Sequence, residues 1–162
     1  MLKDLFPAVA DNRYRGRAPG LWLFALLTAK FGMGLNVMLN APKVAEAADG
    51  IPVSSFGATA ASAFLFVFAA WGLGQLLLGV GTVIVLVRYR SLVPLMFLVM
   101  LVEQVGRKLL HQRWAAERVG TQTGLVINGI FIGVMVVGLV LSLWRRREGA
   151  AEAESSGTGE RS

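Results

Sequence analysis

The sequence predicts an all-α integral membrane protein, a bundle of four transmembrane helices. The chain has 162 residues, 55 % hydrophobic content and a positive mean hydropathy. Its apolar residues are not scattered but gathered into four blocks, at about 21–40, 60–87, 92–110 and 125–144. Each block is close to or above the roughly 20 residues that a helix needs to cross the hydrocarbon core. We number these blocks spans 1 to 4.

One membrane domain, residues 20–147, accounts for most of the chain. It follows a basic segment, residues 1–19, that we expect in the cytoplasm. It precedes an acidic tail, residues 148–162, which has no large apolar side chain and which we expect to be disordered. Span 1 follows a polar segment and ends in Asn36, Asn40 and Pro42, not in a cleavage site of small residues. We therefore expect span 1 to stay as an anchor.

The net charge of +6 at pH 7 reflects orientation in the membrane and does not indicate a nucleic-acid partner. One set of basic residues precedes span 1, joins spans 2 and 3, or follows span 4: Lys3, Arg13, Arg15, Arg17, Arg88, Arg90, Arg145, Arg146 and Arg147. A smaller set lies in the opposite loops: Lys43, Arg107, Lys108, Arg113 and Arg118. This excess predicts that both termini are cytoplasmic. Arginine outnumbers lysine, which favours a bacterial source and an inner-membrane location.

Two loops on the outer side have distinct patterns. The segment Ala41–Thr59 is too long for a tight turn and predicts a short helix, Pro42–Ala48, closed by Asp49-Gly50 and restarted by Ile51-Pro52. We expect it to cover the outer mouth of the bundle. The loop His111–Thr123 contains Trp114 among charged residues, which is typical of a segment in the headgroup region.

Charged residues inside the spans provide the first functional hypothesis. Lys30 lies ten residues beyond Gly20, and Glu103 lies twelve beyond Ser91, or about 15 and 18 Å at helical rise. Spans 1 and 3 run in the same direction, so both residues reach a similar depth. A buried Lys30–Glu103 ion pair is therefore predicted. An intrahelical pair between Glu103 and Arg107, four residues apart, is the alternative, and both stay open.

Further polar residues extend this site. At helical spacing Glu103, Gln104, Arg107, Lys108 and His111 form one polar stripe. The predicted intramembrane polar cluster consists of Lys30, Asn36, Gln75, Glu103, Gln104, Arg107 and Asn128. Small residues that would let helices approach closely are Gly72, Gly79, Gly129 and Gly133.

The residue inventory argues against a self-contained enzyme. The chain has no cysteine, which excludes disulfides, CxxC redox pairs and thiolate-held iron–sulfur clusters. His111 is the single histidine, so bis-histidine haem within one chain is excluded and no metal site is predicted. We identify no catalytic residue, although a membrane site using Glu103 with Arg107 stays open. No cofactor is predicted, and a quinone or a lipid remains open as a ligand.

Three segments carry a family resemblance. They are Ala29-Lys30 in span 1, Gly50-Ile51-Pro52 in the following loop, and the glycine-rich Trp71-Gly72-Leu73-Gly74-Gln75 with Gly79 and Gly81 in span 2. In these the chain resembles the DoxX-like group of small bacterial four-helix membrane proteins, in which an acidic residue often stands where this chain has Gln75. The resemblance implies a four-helix bundle and an accessory role beside redox or envelope machinery.

Two functions follow as alternatives. The first is an accessory or structural subunit of a bacterial membrane complex, which would use its glycine faces and amides to associate with other membrane helices or with itself. The second is a binding protein or minor transporter for a small lipophilic or anionic ligand. In that case the Lys30, Glu103 and Arg107 cluster would open toward the outer leaflet beneath the Ala41–Thr59 loop.

Overall fold

A computed structural model describes residues 5–7, 9–114 and 123–144, and within these ranges the chain is helical with no strand. The helices are α1 (Ala18–Leu26), α2 (Ala29–Leu39), α3 (Ala41–Ala47), α4 (Ala58–Arg88), α5 (Val93–Arg113) and α6 (Thr123–Leu143). Short 3₁₀ turns lie at Val53–Ser55 and Arg90–Leu92. The predicted disordered tail, the three arginines after span 4 and most of the third loop lie outside the described residues.

Three helical segments are long and apolar enough to cross a membrane: Ala18–Leu39 with 22 residues, Ala58–Arg88 with 31 and Gly124–Leu143 with 20. The predicted all-α membrane protein is thus confirmed at the level of class. Helix α5 is also 21 residues long. Its second half, however, contains Glu103, Arg107 and Lys108, so length and composition alone do not identify α5 as a span.

The first span consists of two helices instead of one. Between α1 and α2, the amides of Leu27, Thr28 and Lys30 each donate to a carbonyl three residues earlier, at 3.0–3.1 Å. The Thr28 hydroxyl adds a hydrogen bond of 2.7 Å to the Ala25 carbonyl. Such bonds tighten the chain into a 3₁₀ turn, which often marks a functional position within a helix. Lys30 lies directly after this turn.

Helices α2 and α4 make the closest helix–helix contact, and glycines allow it. A Cβ atom added at Gly72 would lie 2.8 Å from the Met38 amide nitrogen, and one at Gly79 would lie 2.6 Å from the Phe31 Cα. A Cβ atom at Gly34 would collide with the backbone of Leu76 on α4. The two backbones are therefore in direct contact, in the manner of glycine-mediated packing in membranes.

Helices α1, α4, α5 and α6 enclose an apolar core. Its fully or almost fully buried side chains are Phe24, Leu27, Val85, Val93, Phe97, Met100 and Met135. The rings of Phe24 and Phe97 meet edge to face with centroids 5.1 Å apart. Gly138 of α6 leaves the space that the Phe97 ring fills. This end of the bundle is apolar and closely packed.

A strap, residues 9–17, ties the same end together. Asp11 and Ser91 exchange hydrogen bonds: the Asp11 amide donates to the Ser91 hydroxyl at 2.9 Å, and the Ser91 amide donates to the Asp11 carbonyl at 3.2 Å. The Arg17 amide donates to the Leu141 carbonyl at 3.1 Å. The Tyr14 hydroxyl lies 2.9 Å from that of Ser142. Burial raises the pKa of the Tyr14 phenol, so it stays neutral.

A cap, residues 40–57, covers the opposite end. Its short helix α3 is displaced by one residue from the predicted Pro42–Ala48 and ends at Ala47. The predicted turn is confirmed at Gly50, whose φ of 67° lies in the left-handed region that glycine adopts without strain. Ala45, Ile51 and Val53 pack with Phe68 of α4 in a second apolar core. The Gly124 amide donates to the Ala48 carbonyl at 3.0 Å, which fixes the start of α6 against the cap.

Candidate functional site

Glu103 of α5 is the centre of the polar cluster. Gln75 Nε2 of α4 donates to Glu103 Oε1 at 2.8 Å, and Arg107 Nε lies 3.4 Å from the same oxygen. Lys30 Nζ of α2 lies 3.6 Å from Glu103 Oε2. The two alternatives from the sequence therefore coexist, because each oxygen of the carboxylate faces a different cation.

The Lys30 side chain is the most deeply buried charge of the cluster, with 5 % of its surface exposed. At 3.6 Å its contact with Glu103 is an ion pair but is too long for a good hydrogen bond. Lys30 Nζ and Glu103 Oε2 both lack a hydrogen-bond partner among the described residues. The Phe131 ring of α6, with its centroid 5.8 Å from Nζ, covers one side of the ammonium group.

Arg107 connects the partly buried carboxylate of Glu103 to open space. Its guanidinium carbon lies 4.8 Å from the centroid of the Trp71 ring on α4, a distance typical of a cation–π contact. Its side chain is 27 % exposed, far more than that of Lys30. The Trp71 indole nitrogen is buried without a hydrogen-bond partner among the described residues. Arg107 therefore has one face on the protein and the other available to a ligand.

That open space is a groove of about 550 Å³ between α4, α5, α6 and the cap. Its volume is in the range of about 300–1,000 Å³ that is usual for small-molecule sites. The lining is mostly apolar, and its polar groups are Asp49, Gln104, Arg107, Lys108, His111 and Asn128. The apolar lining includes Phe64, Val67, Phe68, Trp71, Leu110, Leu125 and Ile132. A molecule with one polar end and one apolar end would match this distribution.

The charges of the cluster and groove do not balance. The cations are Lys30, Arg107 and Lys108, and the carboxylates are Glu103 and Asp49. By formal charge, with histidine counted as uncharged, one positive charge is in excess among these groups. Lys30 and Glu103 balance each other, whereas Arg107 and Lys108 line the groove with the single carboxylate of Asp49. The excess positive charge is therefore at the groove.

Gln104 and Asn128, two other residues of the predicted cluster, contact each other. Gln104 is buried, and its Nε2 donates to Asn128 Oδ1 of α6 at 3.4 Å. This bond joins α5 to α6 along the floor of the groove. Asn36 is not part of the arrangement, because its exposed side chain accepts a hydrogen bond of 2.9 Å from Asn40. Helical geometry explains this, since Asn36 lies on a different face of its helix from Lys30.

The four predicted packing glycines divide into two pairs. Gly72 and Gly79 contact α2, as described above. A Cβ atom at Gly129 or Gly133 would meet nothing within 4 Å in the described part of the chain. Gly129 instead lines the groove. The α6 pair thus leaves an open helix face.

Sequence reasoning did not assign Trp71 or Asp49 to the site. Trp71 was named only as part of the glycine-rich segment of the family resemblance, and Asp49 only as part of a turn. Trp71 lies beside Arg107 because of how α4 packs against α5, and Asp49 lines the same groove because of how the cap folds. No local sequence pattern records either arrangement. Within the described ranges, no group of three histidine or acidic residues could hold a metal ion.

Comparisons with known proteins leave the chain's family open. No family model, no curated protein and no solved structure matches it. The resemblance to the DoxX-like group therefore stays a prediction.

Proposed function

We propose that this chain is a four-span protein of a bacterial inner membrane, with both termini in the cytoplasm, that binds an amphipathic anion in the groove between α4, α5 and α6. The observation that carries the proposal is the position of Arg107. It is a partly exposed cation in the wall of an apolar groove, and it belongs to a cluster with excess positive charge.

The groove lining has an apolar part and a charged part, and together they indicate the class of ligand. Phe64, Phe68, Leu125 and Ile132 offer a surface for an acyl chain or another extended apolar group. Arg107, together with Lys108, offers donors to a carboxylate or phosphate, for which arginine is the preferred partner. We expect a single-chain lipid-like anion to bind with its charged group at Arg107 and its chain between α4 and α6.

In the proposed orientation, the groove faces the outer leaflet. The basic residues of the strap and of the α4–α5 turn lie at the end opposite the cap. By the excess of positive charge on the cytoplasmic side, the strap end is cytoplasmic and the cap is external. Helix α5 then crosses the membrane with its charged half facing the bundle and the groove, where charges in membrane helices are normally found.

The binding proposal can be tested with oleate and oleyl alcohol, which have the same chain but differ in charge. Native mass spectrometry of the protein released from non-ionic detergent should show one bound oleate per chain and weaker binding of the alcohol. Arg107→Met should reduce oleate binding by at least tenfold, because a charge-assisted contact is lost. Arg113→Met is the matched control, since Arg113 is an exposed residue of the same helix that does not line the groove. Equal retention of oleate and alcohol by the unaltered protein would refute the proposal.

The membrane crossing of α5 can be tested separately with single cysteines, because the chain has none of its own. In intact cells a membrane-impermeant maleimide should label Gln112→Cys and Ser54→Cys. It should label Arg88→Cys and Arg13→Cys only after permeabilisation. Labelling of Arg88→Cys and Gln112→Cys from the same side would show that α5 does not cross.

A second candidate function, an accessory subunit, is favoured by the open glycine face of α6. Gly133 has nothing within 4 Å among the described residues, and its neighbours Val126, Ile130 and Val137 are more than half exposed. Such a face suits close contact with a helix of another chain. Gly133→Leu should abolish that contact, as seen by cross-linking in the native membrane, while leaving oleate binding unchanged.

A further inference from the structure

We infer that Lys30, which does not line the groove, is a positioning residue that raises the affinity of the groove for anions by drawing the Glu103 carboxylate away from Arg107. This inference rests on the proposed function. It assigns a role to a cation that a bound ligand would not touch.

The geometry of Glu103 makes it an internal competitor of any ligand. An anion that binds Arg107 must share that guanidinium with Glu103, whose Oε1 already lies 3.4 Å from Arg107 Nε. The more negative charge Glu103 directs at Arg107, the less remains for the ligand. Gln75, which donates to the same oxygen at 2.8 Å, holds the carboxylate in place but carries no charge.

Lys30 acts on the other oxygen. Its ammonium group lies 3.6 Å from Glu103 Oε2, and neither atom has a hydrogen-bond partner among the described residues. The two charged groups are thus near each other but do not form a hydrogen bond. When an anion takes over Arg107, a movement of a few tenths of an ångström allows Lys30 Nζ to donate a hydrogen bond to Glu103 Oε2. This hydrogen bond offsets the free energy lost when Glu103 gives up its contact with Arg107, and it forms where the ligand does not reach.

The remaining charged groups near Arg107 do not perform this task. Asp49 lies in the groove wall and attracts Arg107 electrostatically, so it acts against an anion. Lys108 is exposed and faces the groove directly. Lys30 is the buried cation on the far side of Glu103, and its 5 % exposure means that little solvent screens it.

The test measures oleate affinity of the purified full-length chain in non-ionic detergent for four variants. Lys30→Met should bind oleate at least about fivefold more weakly, at the lower end of ordinary coupling between two sites. Glu103→Gln should bind it about fivefold more tightly, because the competitor is neutralised while the amide keeps the contact with Gln75. Lys30→Arg should stay within about twofold of the unaltered protein, since the charge remains. Lys43→Met is the control, removing an exposed cation of α3 that lies outside the groove.

The neutral analogue separates a change of electrostatics from a change of fold. Affinity for oleyl alcohol should be the same in all four variants, whereas a distorted groove would weaken both ligands together. If Lys30→Met does not yield folded protein, Lys30→Gln, which keeps a polar group beside Glu103, takes its place, and oleate affinity that is unchanged in Lys30→Gln would overturn the role of Lys30. Oleate affinity that is unchanged or lowered in Glu103→Gln would overturn the inference.

The inference and the proposed function fail in different ways. If the unaltered protein does not prefer oleate to oleyl alcohol, the proposed function fails. If it prefers oleate and loses that preference in Arg107→Met but not in Lys30→Met, the groove is an anion site and only the role of Lys30 is wrong.

Discussion

At the scale of single residues, Glu103 is unusual because three side chains from three helices meet at it: Lys30 of α2, Gln75 of α4 and Arg107 of its own helix. A carboxylate buried in this way is stabilised only while its partners remain, since removal of one partner leaves the other charge without compensation. The three contacts should therefore not contribute independently to stability.

We expect strong coupling in double-mutant cycles at this residue. Thermal unfolding of Lys30→Met, Glu103→Gln and the double variant should give an interaction free energy above about 0.5 kcal/mol, and the cycle of Arg107→Met with Glu103→Gln should do the same. In each cycle the double variant should be more stable than the sum of the single effects predicts. Additive effects in both cycles would mean that Glu103 is held as a neutral acid by Gln75 and not as an ion.

At the scale of helices, the contact between α2 and α4 depends on the absence of side chains at a few positions. Gly34 and Gly79 each contact the backbone of the facing helix. This contact positions the site, since Lys30 lies one turn before Gly34 and Gln75 lies one turn before Gly79. A change in helix spacing should therefore move both side chains relative to Glu103.

Gly79→Ala should destabilise the protein by about 1–3 kcal/mol, because the added methyl group would lie 2.6 Å from the Phe31 Cα and force the helices apart. Gly74→Ala is the matched control on the same helix, where an added Cβ meets nothing within 4 Å. Alanine has the higher helix propensity by about 1 kcal/mol in water, so the control should be neutral or stabilising. Denaturation of both variants in the same detergent gives the comparison, and equal stability losses would contradict direct backbone contact.

The sequence predicts the helices and the cluster to different extents. Apolar blocks of membrane length locate α4 and α6, because hydrophobicity alone determines them, whereas the charged second half of α5 leaves its crossing of the membrane a prediction. Counting residues along helices that were predicted to run in parallel brings Lys30 to Glu103, and the two side chains are in contact in the structure. Hydrophobicity does not predict the 3₁₀ turn at Leu27 and Thr28, because the local sign of the turn is one threonine hydroxyl. The sequence does not predict the groove, because the groove is the space that remains between α4 and α6 once the helices have packed.

At the scale of the whole molecule, the two ends of the bundle differ in what holds them together. The cap end contains a groove with charged and amide groups. The strap end is closed by the apolar core and by hydrogen bonds from residues 9–17 to Ser91, Leu141 and Ser142. These bonds connect segments far apart in the chain, so the strap should contribute to global stability.

Tyr14→Phe tests this contribution. The variant keeps the ring and removes the hydroxyl that lies 2.9 Å from Ser142 Oγ, so unfolding free energy should fall by about 1 kcal/mol. Tyr89→Phe is the control, because the Tyr89 hydroxyl makes no hydrogen bond among the described residues. Limited proteolysis should also cut the strap faster in Tyr14→Phe. Unchanged stability together with unchanged proteolysis would show that the strap lies against the bundle without stabilising it.

The apolar core at the strap end has an electrical consequence. Phe24, Phe97 and Met135 are fully buried and lie on the strap side of Glu103 and Lys30. In the orientation and function proposed above, an anion that enters the groove from outside would stop at Arg107 and would cross only part of the transmembrane voltage. One elementary charge moved through 100 mV is worth about 2.3 kcal/mol. Arg107 lies one helical turn nearer the cap than Glu103, so an anion bound there would cross only about a fifth of a membrane roughly 30 Å thick, and its binding free energy would change by about 0.5 kcal/mol per 100 mV. Under the proposed orientation, the voltage would therefore change the occupancy of the groove by only about twofold.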